Sequence, residues 1–326
     1  MSTIDYPTTI NAVSWTLGAL IILMCLVRIW GRVFLLDRPG WDDLLMALAA
    51  ASAITSSALV TVSVRYGVGT HIDSIHDPVT RSLAVKYTII APVFSIAAST
   101  FAKLSVIVFL IRLMGMVATR RHIVTAWALC VVLVALNIFA IVIIVCYCVP
   151  PAAQWDPSIK GKCIDYSFQI IVADIQSGYN AFIDFLVAVL PTLIIRKLNI
   201  NLKMKISLCG LMGGAAFGAV ATIVKIVTIK NSDHVDITWA WAPVTLWYTA
   251  EMDLIIIFGT IPALWPVVRW FMHRNEYGAY SDTPYRNAFR SPDHPDGSEA
   301  YQLSGCRSNT GVFTRALREV DNMTTG

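Results

Sequence analysis

Apolar residues in this chain gather into runs long enough to cross a bilayer. Seven of them fall near residues 10–30, 41–65, 84–112, 123–148, 168–195, 206–229 and 239–268, each ended by charge, Gly or Pro. A hydrocarbon core of roughly 30 Å takes about 20 consecutive apolar residues as a helix. No sustained polar/apolar alternation suggests a lipid-facing barrel, and hydrocarbon admits only helices and closed barrels, because backbone groups find no water there. The pattern predicts an all-α, polytopic membrane protein built as a bundle of seven transmembrane helices.

Composition agrees: 56% of the 326 residues are hydrophobic and 14% are charged, where soluble domains carry about 25% charged residues. Lys and Arg exceed Asp and Glu by only 25 to 21, and no basic run with interleaved aromatics appears, so nucleic acid is not an expected partner and the lipid bilayer is. The amino terminus, MSTIDYPTTINAV, lacks the positive region of a signal peptide. The first apolar run is followed by Arg28 and Arg32 rather than a small-residue cleavage site, so it is expected to remain as a helix.

Charge at the helix ends predicts orientation. Arg28, Arg32, Arg38, Arg112, Arg120, Arg121, Arg196, Lys197, Lys203, Lys205, Arg269 and Arg274 share one side. On the other, fewer basic residues are interleaved with acids such as Asp73, Asp77, Asp156 and Asp165. The amino terminus is therefore expected outside and the carboxyl terminus in the cytosol. The domain reading is a short extracellular or luminal segment at 1–11, the helical membrane domain at 12–270, and a polar tail at 271–326. That tail cannot bury enough apolar surface to fold alone, and is expected to be disordered and cytosolic.

Cysteines fit this topology. Cys146 and Cys148 end the fourth run and Cys163 lies across a loop on the expected outer, oxidising face. Cys163 is expected to pair with Cys148 or Cys146. Cys25, Cys130 and Cys209 lie in apolar runs, where a free thiol behaves as a small hydrophobe. No Cys/His spacing supports a metal site. His71, Asp73 and His76 form a loop cluster of the kind that is ordinarily just solvated.

The chemistry of interest is inside the bundle. Charges in hydrocarbon cost about 2.5–3.5 kcal/mol each on insertion scales and usually face the interior. Lys103, Asp184, Glu251 and Asp253 fall near mid-depth, whereas Asp174 and Lys225 sit nearer the outer face. Asn180 and Asp184 share a helix face, as do Trp247 and Glu251; Glu251 and Asp253 lie about 200° apart. Lys103, Asn180, Asp184, Trp247, Glu251 and Asp253 are therefore the candidate ligand cavity, and Glu251, Asp184 and Asp253 the candidate acid and base groups. The competing explanation is a polar clamp holding helices together through Lys103. Asp42 and Asp43, following Gly40, read as a cytosolic helix cap, with an ionic lock to Arg112 as the alternative.

Six segments in order, 40-GWDDLLMALAA-50, 66-YGVGTHI-72, 101-FAKLSVIVFLIRL-113, the Cys-Pro-Trp-Asp-Gly-Lys-Cys loop, 180-NAFIDFLVAVLPTLIIRKL-198 and 251-EMDLIIIFGTIPALWPVVR-269, resemble the fungal rhodopsin-domain integral membrane proteins, the satratoxin-cluster-like seven-helix family. The similarity spans about residues 12–270. It implies a receptor-like protein or one encoded in a secondary-metabolite cluster. Larger receptor-like members carry a cysteine-rich extracellular domain before the bundle, for which residues 1–11 leave no room. The expectation is thus a pathway role rather than host sensing.

Retinal is not an expected cofactor, because the last run contains no Lys to form a Schiff base. No motif for nucleotide, flavin, haem or metal chemistry appears, so no cofactor is expected at all. The third run ends 109-FLIRLMG-115 and the seventh contains 262-PALWP-266, neither of them a motif of animal-type G-protein-coupled receptors. The reading is a non-retinal, rhodopsin-like protein that binds a small amphipathic molecule in a polar intramembrane cavity and serves a secondary-metabolite pathway. The alternatives are an intramembrane acid/base enzyme of cyclase or isomerase type and a receptor-like sensor with a cytosolic partner. Transport ranks last, since no internal duplication or paired broken helices are visible.

Overall fold

The computed structural model describes residues 5–35, 40–71, 74–114, 120–156, 158–197, 210, 213–214, 216–218, 220–224, 227 and 237–280. The apolar runs become helices α1 (Tyr6–Trp30), α2 (Trp41–Arg65), α3 (Pro78–Met114), α4 (Arg120–Val145), α5 (Tyr166–Lys197) and α6 (Ile237–Tyr280). Each of the six is long and apolar enough to cross a membrane. The run at 206–229 lies largely outside the described residues, and its described positions from 210 onward are helical. Ser and Thr appear inside the spans at little cost because a hydroxyl can fold back on the carbonyl four residues earlier. Thr16, Thr55, Thr61, Thr88, Thr100, Thr245 and Thr260 all do so.

Local chemistry sets the helix ends. A single π turn, Gly31–Leu35, closes α1. At the start of α2, Gly40 is extended and its N–H donates to Asp43 Oδ2 at 3.1 Å. Asp77 opens α3 by accepting from the Thr80 hydroxyl, then from the Thr80 and Val79 amides, which hold its carboxyl below the usual range. Asp156, in the α4–α5 loop, is lowered in the same way by Ser158.

Between α2 and α3 the chain turns through Gly67 and Gly69, with φ of 107° and 95°, a region that L side chains rarely adopt. The Gly69 amide donates to Thr238 O at 3.0 Å, and Tyr6 meets Trp239 edge to face with centroids 4.9 Å apart. These contacts bring the starts of α1 and α6 and the end of α2 to one face.

The α4–α5 loop carries a two-stranded antiparallel ladder, β1 (Cys148–Val149) on β2 (Lys162–Cys163), in which Cys148 lies opposite Cys163. Those two cysteines form the disulfide, and Cys146 is an exposed free thiol. Sequence spacing left two partners open; the ladder register selects Cys148. The Lys86 ammonium, 5.4 Å from the Trp155 ring centre, fastens the loop to α3.

Two apolar clusters fill the bundle. The smaller one gathers Ile10, Val60, Ala91, Ala242, Val244 and Tyr248 near that face. The larger one runs from Ile21, Ala53, Ala98 and Met252 toward Leu110 and Ala263.

Candidate functional site

Lys103 reaches from α3 into the bundle and is 1% exposed. An ammonium so buried must spend its three donors on protein acceptors. It bonds Asp184 Oδ2 at 3.1 Å, Asn180 Oδ1 at 3.0 Å and the Asn180 carbonyl at 3.3 Å. All three acceptors lie on α5, where residues four apart share a face. Asn180 Nδ2 passes the interaction on to Asn137 Oδ1 of α4 at 2.9 Å, and Gln176 Nε2 donates to the same oxygen at 2.8 Å. Asn137 Nδ2 then donates to Thr100 Oγ1 at 2.8 Å, one turn from Lys103 on α3. The ion pair is thus the end of an amide chain joining three helices.

A cavity of about 20 Å³, room for one water, adjoins the pair. Lys103 and Asp184 supply its polar wall; Val106, Val187, Ile255 and Phe258 supply the apolar one. Gly214 is its remaining boundary. A Cβ at Gly214 would collide with Phe258 ring atoms, so the ring rests on bare backbone.

Helix geometry divides the predicted cavity. Trp247, Glu251, Ile255 and Phe258 follow one another at helical spacing on one face of α6. Glu251 is buried on that face, and the Trp247 ring lies 6.5 Å from Phe217. Lys103, Asn180 and Asp184 are brought together as expected. Asp253 does not join them: it lies about 200° around the helix, is 0% exposed, and neither carboxylate oxygen has a hydrogen-bond partner among the described residues.

A second cluster lies at the opposite end of α1. Asp42 accepts from Arg28 Nη2 at 2.9 Å and from Arg112 Nη1 at 3.2 Å; Asp43 accepts from Arg28 Nε at 2.7 Å. Arg32 stands 3.6 Å and 3.8 Å from the same two acids. The Ser105 hydroxyl donates to the Asp42 carbonyl. Asp43 has the expected helix-start bond to Gly40, and Asp42 has the contact to Arg112. Both acids are nonetheless buried, at 1% and 8% exposure, and their main partners are Arg28 and Arg32, which the sequence offers only as orientation charges. A basic pair four residues apart at the end of an apolar run, followed by an Asp-Asp pair, is the signal available. Asn137, the one polar residue in the middle of the α4 run, was the corresponding signal for the amide chain.

Comparison with known proteins now places the chain. The model of the family described as the Fungal rhodopsin domain matches residues 27–270. A protein of Gibberella zeae named fugralins biosynthesis cluster protein 2 is 26% identical over 95% of this chain and 77% of its own length. A SAT4 family membrane protein of Emericella nidulans is 25% identical over 75% of this chain. Wortmanamides biosynthesis cluster protein C of Talaromyces wortmannii is 25% identical over 73%. The chain spans 59% and 65% of the lengths of the latter two.

Proposed function

The chain belongs to the fungal rhodopsin domain family, and from that premise we propose that it binds a small amphipathic molecule against Lys103 and Asp184 in the service of a secondary-metabolite pathway. The observation that supports this most is the mixed wall of the cavity, a buried ion pair facing Val106, Val187, Ile255 and Phe258. Sites for small ligands are mostly apolar with a few fixed polar groups. The bound molecule presents an acceptor to the ammonium in place of the 3.3 Å contact to the Asn180 carbonyl, and its hydrocarbon part to Phe258, which must leave Gly214 to admit it. That two of the relatives are named for biosynthesis clusters favours a pathway role.

In this reading residues 12–270 hold seven spans with the amino terminus outside, and residues 271–326, of which 271–280 continue α6 rather than being disordered and the rest lie outside the described residues, form a cytosolic tail. The basic cluster at Arg28, Arg32 and Arg112 then faces the cytosol, and the Cys148–Cys163 disulfide lies on the oxidising side.

Untargeted metabolite profiles of strains expressing the parent, Lys103→Met, or no copy of the chain test the role. The expected result is that Lys103→Met, present in membranes at parental abundance, reproduces the profile of the null strain. An abundant variant with the parental profile overturns the cavity. A null strain that accumulates one precursor, which the purified chain then converts, moves the reading to an intramembrane acid/base enzyme. Unchanged metabolites with altered growth responses move it to a receptor.

A further inference from the structure

Hydroxyls within membrane helices usually bond the carbonyl one turn back. On α6, Thr245 and Thr260 do so, to Trp241 O at 2.9 Å and Ile256 O at 2.7 Å. Thr249, between them, does not. Its Oγ1 is buried without a hydrogen-bond partner among the described residues, as are Ser57 Oγ of α2 and Ser14 Oγ and Asn11 Oδ1 of α1. Both oxygens of Asp253, one turn from Thr249 on the same face, share that condition. Ser14, Thr249 and Asp253 are each 0% exposed and Ser57 is 2% exposed.

Contacts between the helices put these groups at one depth. Cys25 Sγ lies 4.0 Å from Met46 O and Arg28 Nε 2.7 Å from Asp43; that antiparallel register, carried along both helices, sets Ser14 level with Ser57. The Met46 methyl lies over Gly259, 3.3 Å from where a Cβ would be, which sets Ser57 level with Thr249. Tyr6 on Trp239 aligns α1 with α6 and again sets Ser14 within one turn of Thr249. Asp253 follows one turn, about 6 Å, deeper. The layer falls between the two apolar clusters, one ending at Ile10, Val60 and Tyr248 and the other beginning at Ile21, Ala53 and Met252.

The geometry points to a cation site, and we propose that Asp253, with Thr249, Ser57, Ser14 and Asn11, binds a sodium ion between α1, α2 and α6. Every unsatisfied atom in the layer is an oxygen, the ligand type that hard cations take. One carboxylate matches one positive charge, which favours a monovalent ion over calcium or magnesium. An ionised carboxylate buried without a partner is costly, and the ion supplies the missing charge while the hydroxyls, turned from their own carbonyls, complete its shell. The site is separate from the Lys103 cavity, because Asp253 faces away from Ile255 and Phe258.

Thermal unfolding of the purified full-length chain, at constant ionic strength with N-methyl-D-glucamine replacing Na⁺, tests the site. A ligand that binds only the folded state raises the midpoint with its concentration, saturably; at about ten times its dissociation constant a rise of about 2–4 °C is expected for a chain of this size. Sodium raised to about 0.15 M, the physiological ionic strength, should give that rise, and K⁺ a smaller one. Asp253→Asn should abolish the response. Thr249→Val and Ser57→Ala should each raise the half-saturating Na⁺ concentration about tenfold, corresponding to the loss of one ligand. A parental midpoint identical in Na⁺ and N-methyl-D-glucamine overturns the proposal, as does a full response retained in Asp253→Asn. If Asp253→Asn does not fold, unchanged half-saturation in both hydroxyl variants overturns it instead.

Discussion

Two buried ion-pair clusters among the described residues neutralise their charge in two different ways. Near the cytosol-facing end of α1 in the proposed topology, three arginines share two carboxylates, so Asp42 and Asp43 each have more than one cationic neighbour within 4 Å. At mid-bundle a single ammonium meets a single carboxylate, and the other partners are neutral amides. Redundancy makes the first cluster tolerant of losing one member. The second has no spare charge. Each arrangement suits its place: the first cluster ties together the ends of α1, α2 and α3, and the second leaves one face of its ion pair to a cavity.

The difference predicts a graded series of stabilities. Lys103→Met leaves Asp184 buried without its cation and should cost about 3–5 kcal/mol, read as a lowered unfolding midpoint in detergent. Adding Asp184→Leu should restore most of that loss, because replacing a buried pair by apolar residues is often neutral or better. A double variant no more stable than Lys103→Met would mean that the amide chain, not the pair, holds the helices.

Arg28→Met should cost less, about 2 kcal/mol, because Arg32 already stands near both acids and can take over part of the contact; measured truncations of charge pairs bracket that figure. Equal losses for Arg28→Met and Lys103→Met would erase the distinction between shared and single neutralisation. Asn137→Leu removes an acceptor shared by Gln176 and Asn180, and a cost of about 1–3 kcal/mol is expected from the unpaired amides. Smallest is Arg112→Ala. Its side chain is 46% exposed, and partly solvated ion pairs contribute about 1 kcal/mol or less, falling further with salt.

Sequence reading reached the helices because each span is a continuous apolar run, and length alone separates such runs from soluble helices. It reached Lys103, Asn180 and Asp184 because a charge in hydrocarbon needs a partner and spacing puts two of the three on one face. It could not tell which way α6 is turned. Glu251 and Asp253 stand about 200° apart on the helix, and only packing, with Ile255 and Phe258 toward the cavity and Met252 and Ile256 in the main core, shows which of them faces it. Arg28 and Arg32 were visible as positive charges at a span end. That they fold back on Asp42 and Asp43 depends on how α1 and α2 approach, which no local pattern states.

The amide chain from Lys103 to Thr100 also has a direction. An ammonium can only donate, so the Asn180 side chain must turn its oxygen to Lys103 and its nitrogen to Asn137. Asn137 must then receive on its oxygen and give from its nitrogen to Thr100, whose own hydrogen goes to Ile96 O at 2.6 Å. An ammonium that cannot accept and a Gln176 carbonyl that cannot donate thereby orient the dipoles across α3, α4 and α5, like the fixed end of a row of compass needles. Drawing Lys103 away leaves the Asn180 oxygen without its donor while the Gln176 carbonyl still holds the amide nitrogen at 2.9 Å, so the row keeps its polarity and meets an incoming donor with an acceptor already aimed.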